Sequence, residues 1–465
     1  MAAYGGRAVV VGAGISGLTA ALALLDGGAE VTLLEAADRT GGLLHADEVG
    51  GVRVDLGAEA MLARRPEGVD LARALGLGDL LVAPGDARPA IWRHDGVRAL
   101  PTGTVMGVPG AGADLSPLLR PDELRRTEAA VAAAAGRIPA PVTGDVAVAR
   151  AVERDVGRPV LDLLVEPLLG GVYAGRTDQL SLAATVPALA QAHRAGEPLA
   201  HAVDRIGAAA TPGVPVFTGV DGGMARLAGA ATARLEAAGV DVRRGVRATG
   251  LHRVPGGWQV TTTAGSLEAA TVVLALPTTT TARLLAEEVP GAARELADVP
   301  VASVAVVALA VAGLEPDTSG LLVPPVEASR AGVDVKAVTF SSSKWDWVAQ
   351  QGGDVAVLRA SLGRVGETAA LRRDDDDLLD LVRHDLEVLL GAQHRQALRT
   401  APARVARWGG ALPQYLPGHA ERVLRLRRAV EAAPGLGVVG GFVQGVGVPV
   451  CIATARTEVA RLLQA

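Results

Sequence analysis

The segment Gly12-Ala13-Gly14-Ile15-Ser16-Gly17 restricts this chain more than any other feature, because it sits between an apolar run, Ala8–Val11, and a small, apolar stretch, Ser16–Leu25. Three glycines at that spacing, after a strand and before a helix, meet three separate demands. Gly12 permits a tight turn, Gly14 lets backbone approach a pyrophosphate, and Gly17 lets helix and strand pack closely. The helix N-terminus then offers unpaired N–H groups to the anion. A second apolar run, Val31–Leu34, leads into Glu35, placed to accept hydrogen bonds from ribose hydroxyls. The opening therefore predicts a βαβ unit that binds a dinucleotide, and by itself leaves NAD and FAD both open.

At 465 residues the chain is long enough for two or more folding units or one large discontinuous one. Helices are predicted over Pro66–Leu81, Pro121–Ile138, Val146–Leu169 and Asp376–Leu390, with an Ala-rich helix after the Gly222-Gly223 turn in Phe217–Ala238. A hairpin around His94-Asp95-Gly96 spans Ile91–Leu100. Short β-prone runs follow at Val240–Arg243, Thr249–Arg253, Trp258–Thr263, Val272–Leu276, Val301–Val311, Val335–Phe340 and Val355–Ser361, and a strand, glycine turn and helix recur from Val438. The longest apolar stretch, Val301 to Leu314, is shorter than the ~20 residues that a membrane-spanning helix needs. A net charge of −5 provides no positive field for nucleic acid, and five Trp, three Tyr and three Phe are too few for base-stacking platforms. The lone Cys451 rules out an internal disulfide, and the eight His show no ligand spacing. With no leader-type start, a reducing, cytoplasmic setting is expected.

After Glu35 comes Ala36-Ala37-Asp38-Arg39-Thr40-Gly41-Gly42, which resembles the second fingerprint of the flavin amine oxidase superfamily, and Asp55-Leu56-Gly57-Ala58-Glu59 resembles its third contact strand. FAD is thereby favoured over NAD. Arg39 either meets the pyrophosphate or forms a salt bridge with Asp38 or Asp47. Three further segments sharpen the likeness. Glu166 to Ser181, containing Gly171-Val172-Tyr173-Ala174-Gly175, resembles the "P-x-x-x-G-x-Y-A-G-x-x-x-x-L-S" segment of the oxygen-dependent protoporphyrinogen/coproporphyrinogen oxidase family. Trp408 to Tyr415 with Gly418-His419 resembles its "W-x-x-x-x-P-Q-Y-x-x-G-H" signature. Gly445 to Ile452 is similar to its "G-V-G-x-P-D-C-I" segment, with Val450 in place of Asp.

That resemblance implies an α/β fold with a discontinuous Rossmann-like FAD domain (1–70, 217–290 and 425–465), a mixed-sheet substrate domain (71–99 and 291–424) and an inserted helical domain (100–216) that caps the site. In it Leu115–Leu119 is expected to pack against the cap, with an exposed apolar patch that could touch a membrane as the other reading. It implies noncovalent FAD on Gly12, Ala13, Gly14, Ile15, Ser16, Gly17, Glu35, Ala36, Arg39, Gly42, Leu43, Gly57, Ala58, Glu59, Ala60, Val246, Trp408, Val446, Gly447 and Val448. Substrate would meet Arg88, Gly171, Tyr173 and Arg176. Met224 reads as a helix start, His419 as a structural hydrogen bond, and Cys451 as a buried thiol in preference to a flavin anchor. The implied reaction removes six electrons from coproporphyrinogen III with O2 as oxidant and H2O2 as product, in heme biosynthesis, with a coproporphyrin ferrochelatase as recipient; no general base and no metal are implied. Protoporphyrinogen IX is the alternative substrate. A generic amine oxidase would have to draw on Tyr4, Tyr173, Tyr415 and Lys336. A binding module of the GDP-dissociation-inhibitor type, without flavin, is the reading from another class.

Overall fold

The computed structural model describes residues 5–138, 140–209 and 215–464, so Tyr4 lies outside the described residues. Its first sheet is parallel throughout, in the spatial order Asp241–Arg243, Glu30–Leu34, Arg7–Val11, Thr271–Leu274, Leu436–Val438. Strands buried on both faces read as unbroken apolar runs, which is why Val9–Val11 and Thr271–Leu274 show no polar alternation. Val10 and Val273 point to one face, against Leu18 and Leu24 of the helix Ile15–Asp26, Leu227 of Ala225–Ala237 and Ile452 of Val448–Leu462. Val9, Val11 and Val272 point to the other, against Trp258, Leu285, Leu296 and Leu426.

The second sheet is mixed, in the order Ala403–Pro413, Val301–Ala312, Val355–Leu362, Ala337–Phe340, Gly320–Leu322, Pro89–Arg93, Gly96–Ala99. Only the pairing of Gly320–Leu322 with Pro89–Arg93 is parallel among the described strands of this sheet. The apolar stretch that was too short for a membrane is its long central strand. Val307, Leu309, Leu358 and Ala360 face the helix Asp375–Leu390, while Ala308, Ala310 and Val357 face Val52, Val54 and Trp345.

The helical segment builds its own core from Val148, Val152, Leu164, Leu189 and Leu199. The long helix predicted over Val146–Leu169 is broken. Gly157 sits at φ +88° and Pro159 follows it, so Val148–Val156 stops there and the chain restarts toward Glu166–Tyr173. Pro66–Leu81 likewise ends early, at Ala74, with Gly76 at φ +76°. Leu115, Leu118 and Leu119 are buried in the helical core, which removes them as an exposed apolar patch for a membrane. Among the described residues no helix is long and apolar enough to cross a membrane. Arg93, almost wholly buried, fastens this segment to the second sheet. Its guanidinium donates to both Glu123 carboxylate oxygens at 2.9 and 3.0 Å and to the Leu118 carbonyl at 2.8 Å.

The cores move three of the expected boundaries. Leu71, Ala72 and Leu77 pack under the parallel sheet, so that unit continues beyond residue 70. Ala292 and Leu296 join its other face, as does Val423, so the breaks at 290/291 and 424/425 also shift toward the second sheet.

Candidate active site

A cleft runs between the two sheets, bordered by both glycine turns and by Trp408–Ala411. Its first wall is the glycine turn. The N–H of Gly12 is tied to Leu34 O, and a Cβ on Gly12 would stand 2.4 Å from Ala275 O, so this glycine is needed by the fold itself. A Cβ on Gly17 would fall on the Gly12 carbonyl, closing the same turn. Gly14 differs: a Cβ there meets nothing within 4 Å and points into the cleft beside Ile15 and Ser16. Here the helix Ile15–Asp26 presents its unpaired first-turn N–H groups. Glu35 closes the turn's far edge, its carboxylate accepting from the N–H groups of Ala13 at 2.8 Å and Ala37 at 2.9 Å. Gly12, Ala13 and Gly17 thus shape the turn from behind.

The second glycine turn lies against the first. Gly41 N–H donates to Ala13 O at 2.7 Å, and a Cβ on Gly42 would come within 3.1 Å of Gly14 Cα. Arg39 reaches into the cleft, with Nη1 3.0 Å from Gly42 O and its guanidinium 5.7 Å from the Trp408 ring centre. Among the described residues it has no carboxylate within ion-pair distance, and Asp47 pairs with Arg404 at 3.5 Å. The alternative of a salt bridge for Arg39 is therefore not what forms. Leu43 and Ala58 also border the cleft, and Ala58 N–H donates to Leu43 O at 3.0 Å.

The opposite wall is the edge strand Ala403–Pro413. Trp408 donates through Nε1 to Leu56 O at 2.9 Å, pinning the second sheet to the first unit. The pairing slips between Ala302↔Leu412 and Val304↔Trp408, so Gly409-Gly410-Ala411 bulges into the cleft, with Gly410 at φ +59°. The helix Val448–Leu462 closes the end with Gly447 as its N-cap, bringing a second helix N-terminus toward the cleft beside Val446 and Val448.

Several expected contacts lie elsewhere. Glu59 is not at the cleft. It is buried in an ionic cluster with Lys344 at 2.7 Å, Arg359 at 3.2 Å and the Ser341 hydroxyl at 2.8 Å. Burial raises its carboxyl, but the two cations outweigh that and hold it at about 2. Ala60 packs against the apolar cluster of Val54, Leu56 and Trp345. Gly57 is fixed by backbone demand, since a Cβ would strike Leu43 O, and its own carbonyl accepts from Arg359 at 2.7 Å. Asp55 caps the helix at Met224, accepting its N–H at 2.8 Å, and burial pushes the carboxyl up to about 6. Val246 spends its N–H on Glu35 O at 2.9 Å and, like Ala36 next to Glu35, lies outside the cleft wall.

The arginines expected on substrate are not brought to the cleft. Arg88 is exposed, in a groove with Asp317, Leu389 and His394 on the sheet face turned toward Asp375–Leu390; Ala90 shares that face, whereas Ile91 points to the helical segment. Arg176 is half-exposed, 3.7 Å from Glu367 and 3.8 Å from Asp178, on an outer groove with Arg158 and Arg330. Gly171 faces Leu322, whose Cδ2 would lie 3.8 Å from a Cβ at this position. Tyr173 meets Tyr415 edge-on at 5.7 Å, its hydroxyl donates to Thr185 O, and burial pushes the phenol up to about 12. Gln414, Tyr415 and His419 join these parts. Gln414 Nε2 donates to Tyr173 O at 2.8 Å, the Tyr415 hydroxyl donates to Gly441 O at 2.5 Å, and His419 Nε2 bonds Phe442 O at 2.9 Å.

A model of the family described as flavin containing amine oxidoreductase matches residues 15–463. This chain belongs to that flavin-dependent oxidoreductase family. The oxidoreductase is 38% identical to the coproporphyrinogen III oxidase of Mycobacterium tuberculosis over 98% of this chain and 97% of that one. It is 28% identical to the coproporphyrinogen III oxidase of Bacillus subtilis over the same shares. In structure it superposes on a protein of Exiguobacterium sp. 255-15, described provisionally as a protoporphyrinogen oxidase, with a TM-score of 0.83 at 28% identity and 98% coverage of both chains. Putrescine oxidase, at 17% identity and a TM-score of 0.68, shares the fold. The cleft of the oxidoreductase fits a flavin dinucleotide in its own terms: two helix N-termini, an unpaired Arg39 guanidinium, and a glycine whose missing side chain leaves room for the pyrophosphate. The flavin-free binding module is set aside by the family match. Lys336 does not border the cleft, so it is no flavin-facing lysine.

Proposed function

We propose that this oxidoreductase binds FAD noncovalently and oxidises coproporphyrinogen III to coproporphyrin III with O2, in a cytoplasmic heme pathway where a ferrochelatase takes the product. The supporting observation is the 38% identity over nearly the whole of both chains to an enzyme of that name, together with a cleft shaped for a flavin dinucleotide. A bound flavin would supply two-electron oxidation at a methylene carbon with O2 as final acceptor, so three such oxidations would remove the six electrons and give three H2O2. The residues of the chain hold and orient. Glu35 stands at the ribose end, Gly14 and Arg39 at the pyrophosphate, and Trp408 with the Gly409–Ala411 bulge forms the wall opposite. His419 is committed to Phe442 O, and burial lowers its imidazole, which leaves it unsuited as a base at the cleft.

The noncovalent reading rests on Cys451. Burial pushes this thiol up to about 11, so it stays protonated at neutral pH and lacks the thiolate that a flavin–sulfur bond requires. Denaturing precipitation is expected to release all the flavin; flavin retained on the peptide containing Cys451 would contradict this.

Protoporphyrinogen IX is the second reading, kept because of the Exiguobacterium likeness. Side-by-side steady-state assays decide between them. Coproporphyrinogen III is expected to give the higher kcat/KM, with three H2O2 per porphyrin, and Arg88→Ala is expected to leave both rates unchanged because Arg88 lies on the far sheet face. A clear preference for protoporphyrinogen would sink the first reading and spare the flavin chemistry.

A further inference from the structure

Two cations, Lys336 and Arg364, are buried side by side at the ends of two inner strands of the second sheet, 4% and 6% exposed. The Lys336 ammonium donates to Gly363 O at 2.7 Å, and among the described residues it has no ion pair. The Arg364 Nε is buried without a hydrogen-bond partner. Its guanidinium reaches one carboxylate, Glu367, at 3.5 Å, and that group is half-exposed and shared with Arg176. Burial first, and then the neighbouring Arg364, pull the Lys336 ammonium down to about 7. Burying like charges with an orphaned donor is costly unless an anion completes the set.

The surroundings say where such an anion would come from. Leu358, Ala360 and Leu362 of one strand and Val338 and Phe340 of its neighbour face the helix Asp375–Leu390, so Ser361 and Ala337 lie on the opposite face of the sheet. Both are only half-buried, so space lies above them. Arg364 Nε stands 3.5 Å from where a Cβ on Gly170 would be, and Val365 N–H holds Ala174 O at 2.8 Å, fixing the cations beneath the end of Glu166–Tyr173. On the other side, Gly363 abuts Ser303 O, and the Ser303 hydroxyl accepts from Gly410 N–H at 2.9 Å, in the bulge that borders the flavin cleft.

We propose that Lys336 and Arg364 form a carboxylate-binding subsite for one acidic arm of the substrate, between the second sheet and the helix Glu166–Tyr173. The inference rests on the porphyrinogen reading above, which supplies a ring to lie at the flavin cleft and carboxylate arms to radiate from it. Gly170 and Gly171 bring no side chains of their own to this place. A carboxylate there takes the free N–H groups of Lys336 and the orphaned Nε of Arg364, each a charge-assisted hydrogen bond.

The test uses the flavin-loaded enzyme with coproporphyrin III and its tetramethyl ester as probes, which differ in charge and share the ring. Lys336→Met and Arg364→Gln are expected to raise the Kd for the tetra-acid roughly 10- to 150-fold, the loss of one charged hydrogen-bond partner, and to leave the ester's Kd unchanged. The KM for coproporphyrinogen III rises with them while kcat holds, and Lys336→Arg restores binding to within a few-fold. Flavin content and Tm report whether each variant is folded. Equal weakening of acid and ester, or no change in either, would overturn the subsite. Wild-type enzyme that oxidises neither porphyrinogen overturns the functional reading and the subsite with it, whereas wild-type turnover with an unaffected Lys336→Met overturns the subsite alone.

Discussion

Gly14→Val is expected to purify as a folded, colourless protein. A Cβ at Gly14 has nothing within 4 Å, so the valine does not disturb the protein around it, and its methyl groups occupy the cleft where the pyrophosphate would approach the helix Ile15–Asp26. The neighbouring glycines behave differently. Gly17→Val drives a side chain into the Gly12 carbonyl, and Gly12 at φ +100° would be strained by any side chain, so those changes cost folding itself. The contrast makes the experiment specific. Flavin absorbance per protein is expected to fall by at least tenfold in Gly14→Val with far-UV circular dichroism unchanged, while Gly17→Val loses both. A yellow Gly14→Val with full flavin content would remove the glycine turn from the cofactor site.

Glu59→Gln is expected to lower stability by about 3 kcal/mol, the low end for breaking a buried ion pair, since Lys344 retains some water contact. The glutamine leaves Lys344 and Arg359 facing each other without a counter-charge, and it unties the loop that carries Gly57 and Ala58 from the strand Val355–Leu362. The pH dependence has a definite sign. The folded carboxyl is held at about 2, below its ordinary 4.5, so its contribution is fully present above pH 4.5 and is lost as the pH falls toward 2. Urea unfolding of wild type and Glu59→Gln is expected to show the full difference at pH 7 and a narrowing one below pH 4.5. An equal midpoint at neutral pH would show that the cluster adds nothing.

How far the chain could be read before its structure was known depended on the range of the interactions involved. The βαβ opening and the glycine turns were legible because each demand is met within a few consecutive residues: a turn needs its glycine where it turns. Arg39, Trp408, Val446 and Val448, which border the cleft, were singled out through the family resemblance and not through spacing. The strand Ala403–Pro413 was not legible as a strand, since Arg404, Arg407, Gly409 and Gly410 weaken its β pattern. It forms because the long inner strand Val301–Ala312 offers it partners on both sides of the bulge. The helix break at Gly157 carried a local signal, a glycine followed by Pro159, that the apolar periodicity around it masked.

By itself the sequence determined the flavin-binding turn and the order of the elements, because local backbone conformation and hydrophobic period are written in neighbouring residues. Which way a charged side chain faces was decided only by tertiary structure. Arg88 lies on the far face of its sheet because strand alternation is set by partners more than 200 residues away, and Glu59 turns from the cleft because Lys344, at the end of the short helix Ser341–Lys344, and Arg359, on the second sheet, arrive to neutralise it. Lys336 and Arg364 meet by the same route, through the pairing of two strands, and no spacing along the chain announces a pocket that only the folded sheet assembles.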